Sequence, residues 1–220
     1  KKFPDRISAW VDVDCVWRKD HHKPGAVARL REELSRNNAK GFTHYVTSEN
    51  DGWFHTNEGQ EFFATAAELK VVASMAISPA WFPDLREIAK ANPTLPFLVH
   101  HMSMPGNSSS GYAKNDIAEL VKSAEVPNIG VKISGFNYNS IEKYDFPYKQ
   151  SQELFKTIYD AYGADRLYWA SDFPASRDML TYTQAIEVVR THCDYLPKAD
   201  LDKIMGDNLN NLLNNPVFSK

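Results

Sequence analysis

The sequence has few of the features that mark nucleic-acid-binding, membrane-spanning or disulfide-stabilised proteins. Its 220 residues carry a formal net charge of -3 and contain no run of like charges, so no surface for nucleic acid or an anionic membrane is expected. No apolar stretch approaches the roughly 20 residues that span a bilayer. The two cysteines, Cys15 and Cys193, lack CxxC spacing, which argues against a redox motif or a zinc knuckle. We interpret both as buried free thiols.

The N-terminal segment KKFPDRIS has no apolar core of the kind found in a signal peptide, and free thiols favour a reducing compartment. We therefore expect a cytoplasmic protein. The sequence begins with Lys1 rather than Met, so a targeting segment upstream, and with it secretion, stays open. The partner expected from this composition is a small molecule, and self-association into a homo-oligomer is open.

Several enzyme signatures are also missing. The sequence contains no GxSxG elbow and no HExxH helix, so a serine hydrolase of that type and a zincin both lose support. It contains neither GxGxxG nor GxxxxGK[ST] after a strand, which argues against a doubly wound nucleotide-binding sheet.

What the sequence does contain is a repeated pattern of a short apolar run followed by an amphipathic helix. The six runs cover residues 7–14, 42–48, 71–77, 96–103, 128–134 and 166–172. This alternation predicts parallel strands joined by crossover helices, and without a glycine-rich turn it favours a (β/α)8 TIM barrel in one domain over residues 1–220. Six of the eight βα units are visible. We expect the other two to precede residue 1.

In a barrel, alternate strand residues point inward, and the carboxyl ends of the strands carry the active site. Asp172 ends the run RLYWASD, where it is either a turn former or a general base or metal ligand. Alternation places Lys132 and Ser134 of GVKISG inward, and it also places Ser74 inward. An inward ammonium needs a partner, so Lys132 is expected to meet Asp172 or an acidic group of the substrate.

His100 and His101 are neighbours on one predicted strand, so at most one of them is expected to face the interior. His101 is nearer the strand end and is our candidate for catalysis. A strand histidine is otherwise often a structural imidazole that is fully hydrogen-bonded.

Residues in the predicted loops supply weaker candidates. His21 and His55 follow the first two strands and would lie on the catalytic rim, and Arg177 could bind an anionic substrate. Asp14 could enter the cavity or end its strand. His44, in mid-strand, is interpreted as structural.

Taken together, the segments KKFPDRISAWVDVD, ANPTLPFLVHHMSMPG, VPNIGVKISGF, GADRLYWASDFPAS and IMGDNLNNLL resemble, in order, conserved segments of the amidohydrolase-related TIM-barrel hydrolases. The likeness runs along nearly the whole chain and is greatest for the branch of lactonase-like enzymes. It implies that Asp172 is the acid of strand eight, a metal ligand in metal-dependent members and the base in metal-free lactonases. It implies that His101 is the histidine of strand six, and that Lys132 and Ser134 shape the cavity.

The sequence departs from that family pattern at the metal ligands. The His-x-His of the family's first strand cannot be found here, because that strand is not in this sequence. Ser78-Pro79 stands where metal-dependent relatives carry a histidine at the end of strand five. The missing strand-five ligand favours the metal-free branch over tightly bound zinc, although His21, His22 or His55 could replace it. If a divalent metal such as zinc is bound, Asp172 is its expected ligand.

The resemblance implies a hydrolase that opens a lactone or related ester of a small carboxylate or sugar-acid substrate. Two alternatives stay open at this point. One is a metal-dependent decarboxylase or hydratase acting on an aromatic-derived acid. The other is a non-catalytic barrel that binds a small ligand.

Overall fold

The computed structural model describes residues 7–214, and the Pro-Asp-Arg turn at residues 4–6 lies outside them. Eight strands occur along this part of the chain. They are β1 (Trp10–Asp12), β2 (Gly41–Tyr45), β3 (Val72–Ala76), β4 (Phe97–Val99), β5 (Asn107–Ser108), β6 (Gly111–Tyr112), β7 (Ile129–Ile133) and β8 (Leu167–Trp169).

Six of these strands form one parallel sheet in the order β1-β2-β3-β4-β7-β8. Strands β5 and β6 form a separate antiparallel pair. The helices are α1 (Ala26–Asn37), α2 (Asn57–Glu68), α3 (Phe82–Ala91), α4 (Lys114–Lys122), α5 (Phe136–Asn139), α6 (Lys149–Tyr162), α7 (Tyr182–Arg190), α8 (Lys198–Asp202) and α9 (Asn208–Asn214).

This arrangement confirms the predicted architecture of six consecutive βα units of a TIM barrel. Each predicted run overlaps one strand of the sheet, and the strands are neighbours in chain order. Within residues 7–214, β1 and β8 each have a single neighbouring strand. The two further units expected upstream stay a prediction.

The helices cover one face of the sheet because strand residues on that face are large and apolar. Phe42, Met75 and Val99 are fully buried there, and they join one core cluster with Phe62 and Phe63 of α2. Burying a side chain of this size contributes about 1.5–3 kcal/mol relative to leaving it exposed. The sheet is therefore held mainly by its helix-facing layer.

The opposite face is more polar. Register pairing places Ser74 of β3 beside Leu98 of β4, and Leu98 beside Gly130 of β7. Lys132 lies two residues further along β7 on the same face. This face, which we call the inner face, positions the candidate site.

Both cysteines are buried and free, as predicted. None of the helices between residues 7 and 214 is long and apolar enough to cross a membrane.

Candidate active site

Four of the predicted site residues converge at the carboxyl ends of β4, β7 and β8. The Asp172 Oδ1 atom lies 3.6 Å from His101 Nε2. Ser134 Oγ lies 3.0 Å from His101 Nδ1. The side chains of His101 and Asp172 are 12% and 21% exposed, so both are largely shielded but open to water. Lys132 lies beneath them on the inner face.

Asp172 is held in place by its backbone and by a tyrosine. It follows β8 with a φ of 53°, a left-handed conformation that aspartate tolerates better than most residues. The Tyr138 hydroxyl donates to Asp172 Oδ2 at 2.7 Å. Burial, followed by the contact with Asp172, raises the pKa of Tyr138 to about 12, so the phenol remains a donor. Oδ1 is left facing His101.

His101 reaches the site through a turn rather than through the strand. Strand β4 ends at Val99, and four consecutive residues, 101–104, have positive φ. The side-chain amide of Asn139 donates to the backbone oxygens of His101, at 3.0 Å, and of Gly135, at 2.9 Å. This turn is therefore fastened to the segment that follows β7.

Gly135 leaves the space that the His101 side chain needs. Its φ is 72°, and a Cβ at this position would lie 2.9 Å from His101 Cβ and 2.9 Å from Tyr138 Cδ2. Only glycine combines this backbone conformation with so close an approach. In the sequence KISG, the serine thus orients the imidazole and the glycine makes room for it.

The prediction that at most one of the two neighbouring histidines faces the interior is wrong. His100 Nε2 lies 2.7 Å from Ser74 Oγ and 2.9 Å from Lys132 Nζ, on the inner face. The rings of His100 and His101 are 5.2 Å apart. Strand alternation directs His100 inward with Leu98, and the left-handed turn then directs His101 to the same side.

Lys132 contacts neutral groups rather than an acid. Its ammonium donates to Ser74 Oγ and to His100 Nε2, and no carboxylate of the described chain lies within 4.0 Å of it. Burial lowers the pKa of Lys132 to about 8, and the charge of Asp172 opposes that shift. The ammonium therefore remains mostly charged at neutral pH.

The two imidazoles are neutral at neutral pH. Burial lowers the pKa of His101, the charge of Asp172 opposes this, and the ammonium of Lys132 adds to it. Burial and Lys132 hold the pKa of His100 well below its usual range. The Tyr45 ring lies 5.5 Å from that of His100. One carboxylate, two neutral imidazoles and one ammonium thus share the end of the sheet.

The loop candidates lie elsewhere. His55 Nε2 is 3.0 Å from Asp84 Oδ1, and the Arg177 side chain is 67% exposed beside Asp178. The ring of His21 stacks on that of His22 at 3.7 Å. None of His21, His55 or Arg177 has a described contact with Asp172 or His101. Their roles in substrate binding stay predictions.

Asp14 does not enter the inner cavity. Its buried carboxylate pairs with Arg29 and accepts the backbone N–H of His22 at 2.9 Å. Sequence reasoning missed Tyr138 and His100 as neighbours of the candidate site. Alternation from Leu98 could have identified His100, but no local pattern indicates where Tyr138, in a short helix after a turn, would lie.

The described residues at this site do not assemble a metal centre. Asp172 and His101 supply two donor groups, whereas Nε2 of His100 faces the ammonium of Lys132, which repels a cation. Between residues 7 and 214, the one group of three or more ligating side chains lies elsewhere. None of the predicted substitutes, His21, His22 or His55, supplies a third donor here.

The sequence matches the family model described as "Amidohydrolase" over residues 1–211. The chain belongs to the amidohydrolase family. No curated protein matches the sequence significantly.

Solved structures share this fold. An amidohydrolase from Burkholderia multivorans with bound zinc has a TM-score of 0.77 and 18% identity, covering 94% of this chain and 73% of its own. A probable 2-pyrone-4,6-dicarboxylic acid hydrolase from Acinetobacter baumannii with citric acid bound has a TM-score of 0.69 and 17% identity, covering 83% and 68%. The 2,6-dihydroxybenzoate decarboxylase from Rhizobium has a TM-score of 0.60 and 14% identity, covering 96% and 72%. At these identities the likeness shows the fold alone.

Proposed function

We propose that this amidohydrolase-family protein hydrolyses a lactone or related ester of a small carboxylate or sugar-acid substrate, with Asp172 as the general base. The observation that carries the proposal is the convergence of Asp172 Oδ1 and His101 Nε2 at 3.6 Å. This separation exceeds a normal hydrogen bond, so both atoms keep capacity for a water or a substrate oxygen.

The reaction needs one proton to move twice. Asp172 accepts a proton from water, and the water oxygen forms a bond to the ester carbonyl carbon. The tetrahedral intermediate then breaks the bond between that carbon and the ester oxygen. Asp172 returns its proton to the departing oxygen, which leaves a hydroxy acid as product.

The oxyanion of the intermediate needs a positive or donating environment. His101, with its Nδ1 on Ser134, can present Nε2–H toward the reacting atoms, and the ammonium of Lys132 lies on the same face. Tyr138 fixes the carboxylate of Asp172 through Oδ2 and leaves Oδ1 for the water. In this proposal, these side chains stabilise the negative charge of the intermediate, and no metal ligands among the described residues are needed for that role.

The preference for an anionic substrate rests on charge. Lys132 is a buried cation without a carboxylate partner in the described chain. An acidic group on the substrate would supply the pairing that a buried charge requires. The similar structure from Acinetobacter baumannii is named for a dicarboxylic lactone and holds citric acid, a small polyanion. We propose a ligand of the same class, a small carboxylate, for this chain.

The test replaces the base and keeps its shape. In the full-length protein, Asp172→Asn should lower kcat for lactone ring opening by about 10²–10⁴-fold, because the amide accepts no proton. Ring opening is measured by proton release on a panel of dicarboxylate and sugar lactones. The matched control is Asp178→Asn, since Asp178 lies in the following turn with its side chain 81% exposed, and its kcat should be unchanged.

Equal losses in the two variants, or full activity of Asp172→Asn, would remove Asp172 from the mechanism. The same panel includes dihydroxybenzoates with CO2 release as the readout. Decarboxylation that is lost on chelation would favour the metal-dependent alternative. Tight binding without turnover would favour the non-catalytic barrel.

A further inference from the structure

A second cluster of titratable side chains lies on the helix-facing side of the sheet. His44 of β2 is the register partner of Met75, which belongs to the buried core, and its ring packs near those of Phe54 and Phe62. His21 and His22, from the loop between β1 and α1, meet it there. Because Tyr45 faces the inner side, His44 faces away from Asp172. We call His21, His22 and His44 the outer histidine cluster.

Hydrogen bonds fix the same tautomer on all three rings. The Nδ1 atom of His21 lies 2.6 Å from the backbone oxygen of Asp14, and that of His44 lies 3.0 Å from the backbone oxygen of Val13. The Nδ1 atom of His22 lies 2.6 Å from a carboxylate oxygen of Asp51. These oxygens only accept, so each Nδ1 carries the proton and each neutral ring keeps a lone pair on Nε2.

The three Nε2 atoms are then left without suitable partners. Those of His22 and His44 face each other at 3.2 Å, which brings two lone pairs together. The Nε2 atom of His21 is buried and has no hydrogen-bond partner. A buried acceptor without a donor costs about 1–3 kcal/mol, so the arrangement calls for a positive species among these nitrogens.

The geometry fits a zinc-type ion. A tetrahedral ion with Zn–N distances of 2.0–2.1 Å separates its ligand nitrogens by about 3.3 Å, close to the distance between His22 and His44. Histidines that bind metals donate Nδ1–H to carbonyl or carboxylate oxygens, as all three do here. Ligating atoms of Asp14, His21 and His22 all lie within 4.8 Å of one another, whereas His44 lies next to His22 but outside this group of three.

We propose that Asp14, His21 and His22 bind one structural divalent transition-metal ion of the zinc type, and that His44, whose Nε2 lies beside that of His22, joins them when the ion binds. Arg29 pairs with Oδ1 of Asp14, which leaves Oδ2 for the ion. Nitrogen ligands disfavour magnesium and calcium. The site is closed rather than open to substrate, because the Trp53 indole stacks on the His22 ring at 4.3 Å with an angle of 4°. The ion would hold the loop after β1 against β2 and does not depend on the function proposed above.

The experiment titrates chelator-treated full-length protein with Zn²⁺, by competition with a chromophoric chelator, and with Co²⁺, by visible absorption. The wild type should bind one equivalent, give the intense bands of tetrahedral Co²⁺, and melt at a higher temperature with the ion. His21→Ala should lose most of this affinity. Asp172→Asn and His55→Ala should keep it, since neither residue belongs to the cluster.

Asp51→Asn decides the outcome if His21→Ala fails to fold. The side chain of Asp51 is 43% exposed, so its replacement leaves the core intact while weakening the acceptor that orients His22. Losing an outer-shell partner of this kind weakens metal binding by about 10–100-fold. Unchanged affinity in Asp51→Asn, absence of binding by the wild type, or binding abolished by Asp172→Asn would each overturn the proposal.

Discussion

At the scale of the residue, Lys132 shows how a buried charge can be stabilised by neutral groups. Its ammonium donates to one hydroxyl and one imidazole, Ser74 and His100, and burial lowers its pKa to about 8. In the unfolded chain the pKa of lysine is about 10.4. Between about pH 8 and pH 10.4, the lysine in the unfolded chain therefore binds more protons than Lys132 in the folded protein.

This difference predicts how stability depends on pH. Because stability rises with pH where the unfolded state binds more protons, the wild type should gain up to about 3 kcal/mol between pH 8 and pH 10.4 relative to Lys132→Met. The gain in stability is complete above about pH 10.4, the pKa of lysine in the unfolded chain, and it is lost as the pH falls through about 8, the pKa of Lys132 in the folded protein. Urea unfolding of both proteins at pH 7.5 and 9.5 measures it. Parallel changes in the two proteins would contradict it.

At the scale of the element, the candidate active site is formed where two turns contact each other. The turn after β4 carries His101, and the turn after β7 carries Ser134 and Gly135. Asn139 donates to backbone oxygens of both turns. The position of the imidazole therefore depends on the backbone of a different βα unit.

Gly135→Ala tests this dependence. A left-handed alanine costs about 1–2 kcal/mol, and the added Cβ at 2.9 Å from His101 Cβ displaces the imidazole. We expect lower stability and a fall in kcat of about 10²-fold, which is what a 1 Å misplacement can cost. Urea unfolding and steady-state kinetics measure the two effects.

The matched control is Gly52→Ala. Gly52 has a φ of 74°, and a Cβ there meets nothing within 4 Å. This variant should show the backbone cost alone, with kcat unchanged. A comparable loss of kcat in both variants would mean that backbone strain, rather than the contact with His101, lowers the proposed activity.

Strand alternation predicted much of the candidate site, and it failed where the strand ended. It placed Lys132 and Ser74 correctly on the inner face because both lie within regular strands. It failed in limiting the inner face to one of His100 and His101, since β4 ends at Val99 and a left-handed turn follows. Propensity gives little warning of four consecutive non-glycine residues with positive φ.

The outer histidine cluster was missed for a different reason. Alternation puts His44 on the same face as Phe42, where a polar side chain among helices requires partners. That requirement was available from the sequence. Which loop supplies the partners was not, because His21 and His22 reach His44 through irregular backbone at residues 13–25.

At the scale of the whole molecule, the order of the sheet followed from the alternation of strand and helix patterns alone. Parallel neighbours joined by crossover helices leave few other arrangements. The antiparallel pair of β5 and β6 was not predicted, because each strand has two residues and carries no periodic signal. One core cluster extends from Leu30 of α1 to Val189 of α7, so the described part of the chain should unfold as a unit.

Labelling of the two cysteine thiols can measure the unfolding of the described part of the chain near its two ends. Cys15 follows β1 and is 0% exposed, and Cys193 follows α7 and is 4% exposed. Burial raises their pKa values to about 12 and about 11, so thiolate is scarce in the folded protein. In the native state we expect both to resist labelling on the timescale that modifies a free thiol fully.

With increasing urea, both thiols should become reactive at the same midpoint, and that midpoint should match the loss of helical circular dichroism. Peptide mass spectrometry assigns each label, and glutathione in the same urea series controls for the intrinsic reactivity of the reagent. Earlier labelling of Cys15 than of Cys193 would show that the β1 end opens before the rest. The metal proposed for the outer histidine cluster lies beside that end, so added Zn²⁺ should then delay the labelling of Cys15 alone.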